Sequence, residues 1–201
     1  VVALRHAIAL TGGIATGKST TCNLLRLFGF AIIDADQIAH RVLDAEHAAI
    51  AKLFGTEYVK DGRVDRKALG KLIFANKTER LKLEKLLHPK IKRQILEEAA
   101  RQERFKVPYI VDIPLFYETR NYPEITKVAV VYAPRDVQIE RLRKRERLSL
   151  EEAIKRVELQ IDIEKKRTMA DYVIDNSKDL KHLQRQVEEF VERIKDEYAV
   201  S

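Results

Sequence analysis

Residues Gly12 to Ser19 read Gly-Gly-Ile-Ala-Thr-Gly-Lys-Ser, a match to G-x-x-x-x-G-K-[ST] at every fixed position. The apolar run Ala7-Ile8-Ala9-Leu10 precedes it as a buried strand would, and Ser19 to Phe28 follows it with the character of a helix. Strand, glycine-rich turn and helix, in that order, are the setting in which the pattern has physical meaning. Gly12, Gly13 and Gly17 let the backbone turn tightly and bring its N–H groups close to phosphate oxygens. The helix N-terminus adds positive dipole at the same place. The pattern therefore predicts a nucleoside triphosphate site. Gly13, Ala15, Thr16, Gly17, Lys18, Ser19 and Thr20 surround the phosphates, Lys18 reaches the β- and γ-phosphates, and the Ser19 hydroxyl ligates Mg²⁺.

Four further apolar runs, Ala31–Ile33, Tyr109–Val111, Val128–Tyr132 and Tyr172–Ile174, alternate with helical patterns. With Ala7–Leu10 they predict an α/β fold whose parallel sheet is covered by helices on both faces. About 75 residues separate the second and third runs, far more than one crossover helix needs. Residues 37–105 therefore read as a helical insertion and 137–168 as a second, lid-like one, leaving 1–36, 106–136 and 169–201 as the core. In the first insertion Gln37 to Phe54 carries helical spacing and Asp61-Gly62-Arg63 marks a turn. Asp65 is placed to cap one helix and Thr78 the next, and Pro89 starts another. In the lid, Val137 to Arg147 forms one helix. The capping-box spacing of Ser149 and Glu152 opens a second that runs to about Arg167. Leu180 to Tyr198 is a last amphipathic helix, packed on the sheet.

Composition excludes several classes. The 201 residues, 45% of them hydrophobic, can bury a full α/β core. No apolar run approaches the roughly 18 residues of a membrane span, and the N-terminus runs straight into the first strand. Neither a membrane partner nor a signal peptide is expected. The single cysteine, Cys22, suits a small buried position and a reducing, cytoplasmic setting. His6, His40, His47, His88 and His182 show no metal-ligand spacing. The net charge of +7 fits either nucleic acid or a polyanionic small substrate. Much of it lies in Arg141 to Arg147 and in Lys165-Lys166-Arg167, and most of these side chains read as a solvated helix face. No nucleic-acid-binding motif accompanies them. A small-molecule substrate, no nucleic-acid partner and a monomer or weak oligomer are expected.

The second apolar run ends in Asp34-Ala35-Asp36. Phosphoryl transfer to an alcohol needs a carboxylate to orient the hydroxyl and take its proton. Asp36, further from the sheet, is the candidate base, while capping of the next helix is the alternative use of either aspartate. The third run ends in Asp112, which suits Mg²⁺, directly or through water, or the acceptor. Arginines bridge the equatorial oxygens of a transferring phosphoryl group, and Arg145 and Arg156 of the lid are the candidates. A GTPase is disfavoured. Asn76-Lys77-Thr78-Glu79 ends in Glu and follows no apolar strand, and Leu115 stands where D-x-x-G requires glycine.

Taken in order, these segments resemble the dephospho-CoA kinase family over nearly the whole chain. Thr11 to Thr20 resembles its loop, and Asp34-Ala35-Asp36 with Ala39-His40 its D-A-D segment. Asp61 to Arg66 with Leu69, and Leu87-His88-Pro89, resemble its acceptor-domain signatures. Asp112 to Glu118 resembles D-x-P-L-L-x-E, and Arg145 to Gln160 and Ala170 to Asn176 resemble its lid and last strand. The resemblance implies a P-loop NTPase fold with strand order 2-3-1-4-5. It implies phosphorylation of the ribose 3′-hydroxyl of dephospho-CoA by ATP with Mg²⁺, the last step of coenzyme A biosynthesis. It also implies catalysis by Asp36, Lys18 and Arg145, acceptor contacts at Asp36, His88, Asp112, Leu115 and Glu118, and Asn176 near the adenine. A structural turn is the alternative role for His88-Pro89. Ala15 departs from a usual glycine, which a loop residue of negative φ tolerates. Ala133, before Pro134, departs from a usual serine and forfeits a helix cap. Another nucleotide kinase would share loop, lid and aspartate; the acceptor-domain signatures separate the two readings.

Overall fold

The structure is a computed structural model and describes residues 2–199. In chain order the elements begin β1 (Ala7–Gly12), α1 (Lys18–Leu27), β2 (Ile32–Asp34), α2 (Ala35–Ala45) and α3 (His47–Phe54). A short hairpin, β3 (Val59–Lys60) and β4 (Arg63–Val64), leads to α4 (Arg66–Ala75) and α5 (Lys77–Glu103). Then come β5 (Tyr109–Asp112), α6 (Phe116–Thr119), β6 (Lys127–Tyr132), α7 (Arg135–Glu146) and α8 (Leu150–Glu158). The chain closes with α9 (Ile163–Met169), β7 (Tyr172–Asp175) and α10 (Leu180–Ala199). It divides into two compact units. One is the chain up to Ile33 together with the chain from Ala99 onward; the other is Asp34–Glu98.

The first unit holds the sheet, in the order β2-β5-β1-β6-β7, which is the 2-3-1-4-5 order expected for its five strands. The pairings of β1 with β5 and β6, and of β6 with β7, are parallel. Register sets Leu10 opposite both Asp112 and Ala129, and Tyr132 opposite Asp175. The strand ends that carry polar residues are thereby aligned at one edge. On one face Ile8, Leu10, Ile110, Val131 and Ile174 pack against Cys22 and Leu25 of α1 and Leu183, Val187 and Phe190 of α10. Val130 and Tyr132 form a second cluster with Ile163 of α9 and Tyr117 of α6. The period-two alternation along β6 is what splits Val130 from Val131.

Helices α7 and α8, in the segment expected to form a lid, keep a small core of their own. Leu142, Ala153 and Val157 are buried together, and Ile14 and Ala15 of the glycine-rich loop pack against them. The capping box is present as expected: Ser149 accepts from the Glu152 N–H, and Glu152 accepts from the Ser149 N–H. The expected run to Arg167 is corrected, because the helix stops at Glu158 and restarts at Ile163. Gln160 and the Ile161 N–H are drawn into bonds with Ile14 and Glu118, and Asp162 caps the new start through the Glu164 N–H. Ala133 is not at the cap position expected for it. Pro134 is the N-cap of α7, so the buried Ala133 lies one residue outside it.

In the second unit Ile50, Val64 and Leu69 are buried among Leu43, Phe54, Leu83 and Leu86. The expected Asp61-Gly62 turn closes the β3–β4 hairpin, with both residues at positive φ. Asp65 caps α4 through the Ala68 N–H as expected. Asn76, not Thr78, opens α5: its Oδ1 accepts from the N–H groups of Thr78 and Glu79. The expected new helix at Pro89 is corrected too, because α5 runs through Pro89 without a break. Leu83 and Leu86 are packed before the proline and Ile95 is fully buried after it, so packing on both sides overrides the local break.

Candidate active site

The glycine-rich loop joins β1 to α1, and its backbone shows what it can hold. Gly17 is the N-cap of α1 at φ +89°, and no side chain caps the helix. The first helical bond runs from the Thr21 N–H to the Gly17 carbonyl. The N–H groups of Lys18, Ser19 and Thr20 thus lie beyond the reach of the helix ladder, and no acidic residue occupies the first turn. Such an end binds an anion through its N–H groups and dipole. A Cβ at Gly17 would stand 2.1 Å from Asn176 Nδ2, and one at Gly13 would stand 2.4 Å from Gln138 Nε2. Gly17 is required by its φ together with the approach of Asn176, while a side chain at Gly13 would displace the Gln138 amide.

The loop is held from outside by side chains distant in sequence. Asn176 Nδ2 donates to the Thr16 carbonyl at 2.7 Å. Gln138 Nε2 donates to the Ile14 carbonyl at 2.9 Å, and Gln160 Oε1 accepts from the Ile14 N–H at 2.8 Å. Lys166 Nζ donates to the Gly12 carbonyl at 2.7 Å. The buried polar side chains among the described residues are Thr11, Thr16, Thr21, Asp112, Gln138, Lys166 and Asn176. Each lies in the loop or next to it, or bonds to it. Buried polar groups need partners, and here the loop backbone supplies or shares them.

Lys18 and Asp112 form an ion pair, and Cys22 Sγ donates to the other Asp112 oxygen at 3.6 Å. Both carboxylate oxygens of Asp112 are thus partnered, one by the loop lysine and the other by the Cys22 thiol. Burial, reinforced by the Asp112 charge, pushes the Cys22 thiol up to about 12. Cys22 is buried as the sequence suggested, but as a hydrogen-bonded thiol.

The remaining candidates divide. Ser19 and Thr20 are exposed in the first turn of α1. Ser19 offers the hard oxygen donor that Mg²⁺ takes, and its neighbouring N–H groups suit the phosphates that accompany that ion. Among the described residues no cluster of three or more His, Cys, Asp or Glu forms a metal cage. Ala15 sits at φ +60°, which corrects the expectation of a negative φ. Arg145 and Arg156 meet on a single carboxylate, Glu146. Arg141 is the more enclosed lid arginine. It donates to the carbonyls of Asn176 and Lys178, and its Nη1 is buried without a partner. Asn176 holds the loop at the Thr16 carbonyl through its Nδ2. Glu118 binds Lys166 and the Ile161 N–H through Oε2, so its carboxylate is engaged inside the protein. Leu115 is exposed ahead of α6.

In the second unit Asp34 caps α2 through the Gln37 N–H, while Asp36 is exposed in the first turn. His88 is exposed on α5. Gln138, Gln160 and Lys166 were missed by sequence reasoning. The one signal for Lys166 was its place among basic neighbours, and that pointed to solvent.

The family profile of dephospho-CoA kinase matches residues 6–182. The dephospho-CoA kinase of Sulfurimonas denitrificans is 50% identical over 197 residues, covering 98% of each chain. That of Wolinella succinogenes is 47% identical over 98% of each. The solved dephospho-CoA kinase from Campylobacter jejuni is 35% identical, with a TM-score of 0.78 over 95% of this chain and 98% of that one. The chain belongs to the dephospho-CoA kinase family.

Proposed function

We propose that the chain transfers the γ-phosphoryl group of ATP to the ribose 3′-hydroxyl of dephospho-CoA, giving CoA and ADP. The observation that carries the donor half is the uncapped N-terminus of α1, which leaves the N–H groups of Lys18, Ser19 and Thr20 outside the helix ladder. Family membership and the acceptor-domain signatures support the acceptor half. Residues 37–105 are assigned to the acceptor and 137–168 to the lid.

Lys18 has three donors, so it can keep Asp112 and still bind β- and γ-phosphate oxygens. Mg²⁺, held by Ser19 and the phosphates, would supply charge neutralisation as the β–γ bridge breaks. Asp36, further from the sheet than Asp34, is the base in this reading, and the family's D-A-D segment supports that choice. Its carboxylate takes the proton as the 3′-oxygen bonds to the γ-phosphorus, and the bridging electron pair leaves with ADP. Arg145 and Arg156 exchange Glu146 for the equatorial oxygens, and Arg141 offers its unpartnered Nη1 to the nucleotide.

The test is ADP release with a panel of acceptors, dephospho-CoA and adenosine among them. Dephospho-CoA is expected to be the preferred acceptor; preference for a plain nucleoside overturns the reading. Asp36→Asn is expected to keep ADP binding and lower transfer by about 10²–10⁴. Near-normal turnover would remove Asp36 as an essential base.

A further inference from the structure

Lys166 lies at 0% exposure on α9, and its ammonium has two acceptors, the Gly12 carbonyl and Glu118 Oε2, each at 2.7 Å. A buried ion pair contributes little stability over apolar packing of the same volume, because both ions lose their water. This pair is not even fully satisfied: Glu118 Oε1 is buried without a partner. Stability is therefore a poor reason for a lysine here, and its position gives a better one. In a trans peptide the C=O and the next N–H point in opposite directions. The carbonyls of Gly12, Ile14 and Thr16 are pulled outward by Lys166, Gln138 and Asn176. The N–H groups of Gly13, Ala15 and Gly17 are thereby turned away from these clamps. Of the three clamps only Lys166 is charged, and its ammonium bridges the carbonyl of the loop's first peptide to Glu118. Gln138 lies on α7, ahead of the lid turn, while Gln160 and Lys166 follow α8. Both roots of the lid hairpin are thus fastened to the loop.

We infer that Lys166 is a positioning residue for the phosphate-binding loop, coupling the segment that leaves the lid to the loop's grip on the triphosphate. The inference rests on the reading that this loop binds the nucleotide, but not on the identity of the acceptor. The test is Lys166→Met, which keeps the length and removes the charge and the hydrogen bond. Binding of ADP and of dephospho-CoA is measured separately by calorimetry, with thermal unfolding alongside. We expect the ADP dissociation constant to rise by about tenfold or more, with the dephospho-CoA constant unchanged. An unchanged ADP constant overturns the proposal, as does a parallel loss of both ligands with a fall in Tm. If Lys166→Met does not fold, Glu118→Gln decides: selective weakening of ADP supports the coupling, and selective weakening of dephospho-CoA overturns it. Because ADP binding needs no acceptor, the outcome stands even where dephospho-CoA proves not to be turned over.

Discussion

Ala15 shows how opposing terms settle at one residue. Its φ of +60° costs an L-residue about 1–2 kcal/mol. Glycine there would relieve that strain but lose about 0.5–1 kcal/mol to chain entropy and most of a methyl contact worth about 0.8 kcal/mol. That methyl packs against the lid core. The terms nearly cancel, so Ala15→Gly should leave unfolding free energy within about 1 kcal/mol, read by urea titration. Gly17 has no such balance. Its φ of +89° and the 2.1 Å approach of Asn176 act together. Gly17→Ala must strain the backbone and push Asn176 off the Thr16 carbonyl, costing about 2–3 kcal/mol and weakening ADP binding. Calorimetry and unfolding of the same sample check both.

At the scale of elements, the turn between α7 and α8 is stabilised locally. Ser149 and Glu152 each satisfy the other's N–H at the start of α8. Ser149→Ala should cost about 1 kcal/mol and raise deuterium uptake in the first turn of α8, with little change at β1. The elements also show which parts of the chain were readable. The five sheet strands were readable because each is a short apolar run alternating with helical patterns. The motif Gly12 to Ser19 was readable because its glycines have fixed backbone duties. Helix limits failed where distant partners decided them. Gln160 and Ile161 leave the helix for Ile14 and Glu118, and Pro89 stays within one because of packing on both sides. The clamps on the loop were invisible for the same reason. Gln138, Gln160 and Lys166 carry no local signal, and their partners lie 124 to 154 residues away.

For the whole molecule, acid stability follows from two carboxylates held below their ordinary pKa, Glu103 and Asp175. Burial favours the neutral form of Glu103, but hydrogen bonds from the His6 N–H and ring and from the Tyr109 hydroxyl outweigh it and hold its pKa low. Asp175 behaves alike: burial raises it, while bonds from Ser177 and His182 bring it below the ordinary range. A lowered folded-state pKa contributes stability that is present above the unfolded value and lost as pH falls through the folded one. Tm should therefore fall below about pH 4, and Glu103→Gln should flatten that fall while lowering Tm at neutral pH. Thermal scans across pH test the sign.

Cys22 extends the same view to local opening. Its thiol is buried, hydrogen-bonded to Asp112 and pushed up to about 12, so almost no thiolate exists at neutral pH. Thiolate is the reactive form. An aromatic disulfide reagent should therefore label the native chain only when α1 lifts from the sheet, which makes the single thiol a built-in clock for the donor site. Added ATP should slow that clock without altering the labelling of the urea-unfolded chain.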